Sequence, residues 1–224
     1  MIQNPLYSPI LITGIERSGS SIIAKIIEGC GSFAGDVTEM SENRGIKKLV
    51  DTYYSEQLHL PVSGQKPLPI TEQLNIPVAW DKNIEEILQK DGYFGETAKM
   101  PWMYKSSRIS QIWPIWNYSY PNAKWIIVRR RTGDIVQSCL KTGFMNAYSD
   151  QEGWLEWVHL HQDYFVDMIN AGLNCKVVWP ERMAYGDYQQ IYEMLEWLGL
   201  PWNDDIIYLC GSLLKNSTQK ERSK

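Results

Sequence analysis

What most constrains this chain is the passage between residues 8 and 31. Ser8-Pro9-Ile10-Leu11-Ile12-Thr13 is a short apolar run ending at Gly14, the pattern of a strand buried on both faces of a parallel sheet. From Ser21 to Glu28 the isoleucines recur at helical spacing, and the run stops at Gly29-Cys30-Gly31, where glycine supplies the left-handed backbone that closes a helix. The same grammar returns later. Lys124-Trp125-Ile126-Ile127-Val128 follows the turn Tyr120-Pro121-Asn122-Ala123 and leads through Arg129-Arg130-Arg131 into a helix from Asp134 to Lys141, closed by Gly143. A third strand is predicted at Cys175 to Trp179, after a long amphipathic helix from Gln151 to Ala171, and a last helix from Tyr188 to Leu198 ends at Gly199. Strands alternating with helices predict an α/β fold of three layers, a central mostly parallel sheet flanked by helices on both faces.

The middle of the chain carries weaker signals. Residues 46–58 and 82–90 have helical periodicity, Gly92 to Thr97 reads as a strand, and Lys105 to Trp113 reads as a helix that stops at Pro114. The stretch from Pro61 to Pro77 holds four prolines and little periodicity, so a long loop is expected there, a lid or an acceptor-site wall. With 224 residues, one core and one domain spanning 1–224 is the expectation, with 215–224 as a polar, flexible tail.

Composition narrows the function classes. A net charge of −4 argues against coating nucleic acid or an anionic membrane through the overall field, so any anion site must be local. Cys30, Cys139, Cys175 and Cys210 are far apart and form no C-x-x-C pair, which predicts reduced thiols and a cytoplasmic protein. No stretch approaches about 18 consecutive apolar residues, so no membrane span is expected. His159 and His161 lie two apart on a predicted helix and point to different faces, a poor metal pair; no metal site is expected.

The loop Gly14-Ile15-Glu16-Arg17-Ser18-Gly19-Ser20-Ser21 has the spacing of a P-loop. There, small residues let backbone N–H groups approach phosphate oxygens at a helix N-terminus. A nucleoside-triphosphatase places Lys after the last glycine; here Ser20 stands there and the cation is Arg17, within the loop. ATP hydrolysis is therefore disfavoured, while a P-loop NTPase-like fold is retained. Arg17 and Arg130, each at a strand-to-helix crossing, could hold the two ends of a ligand with two separated anionic groups.

These segments resemble the sulfotransferase family. Residues Ile12 to Ser21 look like its 5′-phosphosulfate loop, and Val128 to Ser138, with Ser138 eight residues after Arg130, looks like its 3′-phosphate segment. Val178-Trp179-Pro180-Glu181-Arg182-Met183 and Leu198-Gly199-Leu200-Pro201 resemble its late strand and helix end. The resemblance implies transfer of a sulfuryl group from 3′-phosphoadenosine 5′-phosphosulfate to a hydroxyl or amine of a small-molecule or carbohydrate acceptor, without a required metal. It implies cofactor contacts from Arg17, Ser18, Gly19, Ser20, Ser21, Arg130 and Ser138, with Arg17 also catalytic. The base that many members carry as His is absent near Thr97-Ala98-Lys99-Met100-Pro101. Glu96 is the favoured base, with Glu39 and Glu42 as alternatives, and Lys99 could contact the transferring group or the acceptor. The family's C-terminal Arg-Lys-Gly segment is not visible after Trp202, where Lys215 is the remaining candidate cation. A P-loop kinase-like phosphotransferase and a nucleotide-binding module without catalysis stay open as alternatives.

Overall fold

The computed structural model describes Leu6 and residues 8–222, with side chains as far as Leu214. Four strands form one parallel sheet: β1 (Ile10–Gly14), β2 (Met103–Lys105), β3 (Lys124–Val128) and β4 (Cys175–Val178), in the order β2-β1-β3-β4. Because side chains alternate along a strand, Leu11, Tyr104, Trp125 and Ile127 enter one core. Ile10, Ile12, Met103, Ile126, Val128 and Val178 enter the other. The first core is covered by α2 (Arg44–Thr52), α3 (Trp80–Lys90), α4 (Trp113–Ser119), α5 (Thr132–Leu140) and α6 (Gln151–Asn170). The second is covered by α1 (Ser20–Gly29), α7 (Gln189–Leu198) and α8 (Asp204–Arg222). The expected three-layer α/β architecture is what forms.

Six of the ten tryptophans, Trp80, Trp102, Trp116, Trp125, Trp154 and Trp157, are fully buried. An edge-to-face run from Tyr53 through Trp80 to Trp116 fills the larger core. Trp102 and Trp116 are core residues.

Three expectations are corrected. Gly92 to Thr97 is not a strand: Gly92 and Gly95 take positive φ, and the Thr97 hydroxyl closes a turn onto Gly92 O and Phe94 O. The strand is β2, which begins at Met103, six residues after Thr97. Lys105 to Trp113 is not a helix; after β2 there is only a turn of 3₁₀ helix at Ser107–Ser110, and Pro114 lies in the first turn of α4 rather than ending a helix before it. A proline is tolerated there because that N–H has no intrahelical partner in any case. The helix predicted over 46–58 begins at Arg44, capped by the Asn43 side chain, and widens into a π-helical turn at Tyr53–Gln57.

The proline-rich stretch is irregular, as expected, but tied down. Arg108 Nη1 donates to Val62 O (2.8 Å), Tyr164 Oη to Pro69 O (2.6 Å) and Tyr53 Oη to Asn75 O (2.8 Å). Gln65 donates to Phe144 O and accepts from the N–H groups of Asn146 and Ala147. The side chains of 215–224, including Lys215, lie outside the described residues, as does any bearing on a flexible tail. Among the described residues no helix is long and apolar enough to cross a membrane.

Candidate functional site

The loop and the arginine run meet at the carboxyl ends of β1 and β3, which are neighbours in the sheet. Their helices leave to opposite faces, α1 to one core and α5 to the other. Such a divergence opens a crevice in parallel α/β folds.

The loop is built around close approach. A Cβ on Gly14 would meet Ser18 Oγ at 2.6 Å and Val128 O at 2.7 Å, so only glycine fits between β1 and β3 at that point. Arg17 and Gly19 are both left-handed, with φ 71° and 92°, an uncommon and costly geometry for arginine. Ser18 N–H donates to Ile15 O (3.0 Å), and Ser18 Oγ is buried without a partner among the described residues. Gly19 gives α1 no side-chain cap, so the first N–H groups of the helix are left for a ligand.

The two anion-holding corners read from the sequence adjoin. Arg17 Nε donates to Ser138 Oγ at 2.8 Å, and Arg130 Nη1 donates to Arg17 O at 3.1 Å. Arg129 lies between the rings of Phe165 and Trp179, 5.7 and 5.6 Å from their centroids, and burial pushes its guanidinium pKa down. Among the described residues Arg17, Arg129 and Arg130 have no carboxylate partner. Arg131, by contrast, pairs at the surface with Asp134 and Glu181. Three uncompensated cations beside free helix N–H groups are a combination that can receive an anion.

On the other flank of β1, the end of β2 carries paired charge. Lys105, whose side chain is 9% exposed, lies 3.6 Å from Glu42, and Arg108 pairs with Asp51. Glu42 is brought there by its own turn, in which Thr38 N–H donates to Glu42 O and Glu42 N–H to the Thr38 hydroxyl. Ser21 Oγ donates to Met40 O, tying that turn to the start of α1 (3.0 Å). Glu39 is exposed in the same turn.

Glu96 and Lys99 are placed elsewhere. They pair with each other at 2.6 Å, 87% and 68% exposed, in the turn that precedes β2. In a parallel sheet the residues before a strand lie at its amino edge and those after β1 and β3 at the carboxyl edge. Phe33, beyond the far end of α1, accordingly donates to Pro101 O, and its carbonyl accepts from Met103 N–H. The structure does not bring Glu96 or Lys99 to Arg17. Nor does it bring the histidines in: His161 is buried, edge-to-face with Trp157 and pushed down to about 3 by desolvation, while His159 is exposed.

Sequence reasoning passed over Glu16, which lies inside the loop it identified. Its Oε1 accepts from Ser107 Oγ at 2.6 Å and its Oε2 is buried without a partner among the described residues. Desolvation pushes this carboxyl up to about 7, against the Ser107 hydroxyl, its own backbone N–H and the positive Lys105 and Arg108, which pull it down. The signal was available only as an acid next to a loop arginine; its burial depends on Ser107, 91 positions later in the chain.

No known protein-family profile matches the sequence, and no curated protein matches it. Among solved structures, a sulfotransferase, STF1 of Mycobacterium tuberculosis H37Rv, superposes with a TM-score of 0.46 at 12% identity, over 91% of this chain and 70% of that one. A likeness at that level assigns neither residues nor substrate.

Proposed function

We propose that this chain, acting as one domain over 1–224, is a sulfotransferase using 3′-phosphoadenosine 5′-phosphosulfate and a hydroxyl- or amine-bearing acceptor. The observation that carries the reading is the meeting of Arg17, Ser138 and Arg130 at the carboxyl ends of β1 and β3, with no carboxylate paired to either arginine among the described residues. The residues fit such a nucleotide: the orphaned Ser18 hydroxyl, the uncapped start of α1 and the glycine-only approach at Gly14 suit the 5′-phosphate end. Arg130 and Ser138 suit the 3′-phosphate. When bound, the nucleotide supplies an activated sulfuryl group.

The chain's own part is alignment and charge stabilisation. Ser18, Gly19, Ser20 and Ser21 hold the 5′-phosphate through N–H and hydroxyl groups, and Arg17 places its guanidinium where negative charge develops on the bridging oxygen. Of the carboxylates considered as base, Glu42 has the supporting placement, half-buried beside Lys105 at the carboxyl end of β2. It would accept the acceptor's proton, with the Lys105 ammonium 3.6 Å away. Ser20, where a triphosphatase has lysine, leaves the ATP-using alternative without its phosphate cation. Four free cysteines suit a cytoplasmic setting.

Calorimetry with adenosine 3′,5′-bisphosphate tests the nucleotide, and transfer of labelled sulfate to a panel of phenols, amines and sugars tests the reaction. Tight binding with turnover is the expected result. Binding with no transfer to any acceptor would make the chain a binding module, and no binding at all would remove the reading.

A further inference from the structure

The carboxyl group of Glu16 occupies an unusual position, one residue before Arg17 in a loop shaped to receive anions. Among the described residues no neighbouring cation forms an ion pair with this carboxyl. Lys105, from the end of β2, faces Glu42; Arg108, from the turn after β2, faces Asp51; Arg17 is bonded to Ser138. The other titratable groups in electrostatic reach are Tyr54, from the turn after α2, and Cys139, from α5, and burial pushes both of these up, keeping them neutral. Glu16 therefore has a single side-chain hydrogen bond, from Ser107, and an oxygen closed off from both solvent and partners. An ionised carboxylate is poorly compensated there, and phosphate charge arriving on the same loop would disfavour it further.

We propose that binding of an anionic nucleotide to this loop takes up one proton at Glu16, which makes Glu16 a positioning residue that couples nucleotide affinity to pH. The proton comes from solvent or buffer and bonds to a Glu16 carboxylate oxygen; no other bond is made or broken. This rests on the nucleotide reading given above. Neutral Glu16 leaves Arg17 as the unopposed charge of the loop, whereas ionised Glu16 sets a negative charge next to it.

The direction follows from linkage. The free protein holds the carboxyl near half-ionisation around neutrality, at about 7, and the bound protein holds it higher. Affinity is then fully present at low pH and lost as pH rises through the free-state value, by about fivefold between pH 7 and pH 8. At pH 7 about half a proton enters per nucleotide bound.

The experiment is calorimetry of the full chain with adenosine 3′,5′-bisphosphate, in pairs of buffers of different ionisation enthalpy, on wild type and on Glu16→Gln. The ligand's own phosphate titration, near pH 6, is common to both proteins and cancels in the difference. The expected result is proton uptake by wild type beyond that of E16Q, with the affinity of E16Q flat over the same pH range. Equal proton counts in the two proteins would overturn the inference while leaving the nucleotide reading intact; no binding to wild type at any pH would overturn both. Should E16Q not fold, difference infrared spectroscopy of wild type decides: nucleotide added at pH 8 must raise a protonated-carboxyl band, and its absence overturns the proposal.

Discussion

The two flanks of β1 treat positive charge in opposite ways. Toward β3, Arg17, Arg129 and Arg130 have hydrogen bonds to neutral groups or lie against aromatic rings, and no carboxylate answers them among the described residues. Toward β2, Lys105 and Arg108 are at least as well buried and each has its acid, Glu42 and Asp51. A cation left uncompensated at a crevice is destabilising until a ligand brings the counter-charge, whereas a compensated one holds structure and sets the state of its partner. On the function proposed above, the β3 flank would receive an anion from outside, and the β2 flank a neutral acceptor that loses a proton to a resident base.

This contrast can be broken by exchanging the roles. Arg108→Ala should have the largest effect, on stability: it leaves Asp51 with Lys47 as its one remaining cation and frees Val62 O, and loss of a buried partner of this kind costs up to about 3–5 kcal/mol in a urea or thermal melt. A wild-type melt would mean that the β2 flank is not structurally held by its pairs. Arg17→Ala should leave the melt near wild type and cut sulfate transfer by about 10²–10³-fold; an unchanged turnover number would remove Arg17 from the chemistry. Glu42→Gln should lower turnover on the order of 10²-fold with bisphosphate affinity retained, and a loss of affinity instead would move Glu42 to the anion side. Glu96→Gln, on the exposed turn before β2, should shift stability by less than about 0.5 kcal/mol and leave transfer unaltered. Measured together, the four variants sort the residues by flank and by edge.

Much of the fold could be read without coordinates, because β1, β3, α1 and α6 each carry a periodicity long enough to see, and glycines mark their ends. The segments carrying Arg17 and Arg130 were legible for the same reason: each sits where an apolar strand meets a helix in the chain itself. The second flank was not. Met103–Lys105 is too short to show alternation, and placing the strand at Gly92 to Thr97 carried Glu96 to the carboxyl edge when it belongs to the amino edge. A shift of a few residues along the chain thus moved a candidate base across the full height of the sheet, roughly 10 Å for a strand of three residues. Glu16 escaped for a different reason, since desolvation comes from packing and no local pattern announces it. Pro114 misled because proline both ends helices and begins them, and only the strand before it decides which.

The tethers on residues 62–75 carry a further consequence. Arg108 fastens Val62 with the same guanidinium that pairs with Asp51, while Tyr53, Gln65 and Tyr164 stitch the segment to α6 and to its own neighbourhood. A door hung from so many bolts does not swing. Were the chain to turn over as proposed, this stretch would serve as a fixed wall, and the rhythm of turnover would be set by the chemistry or by nucleotide departure.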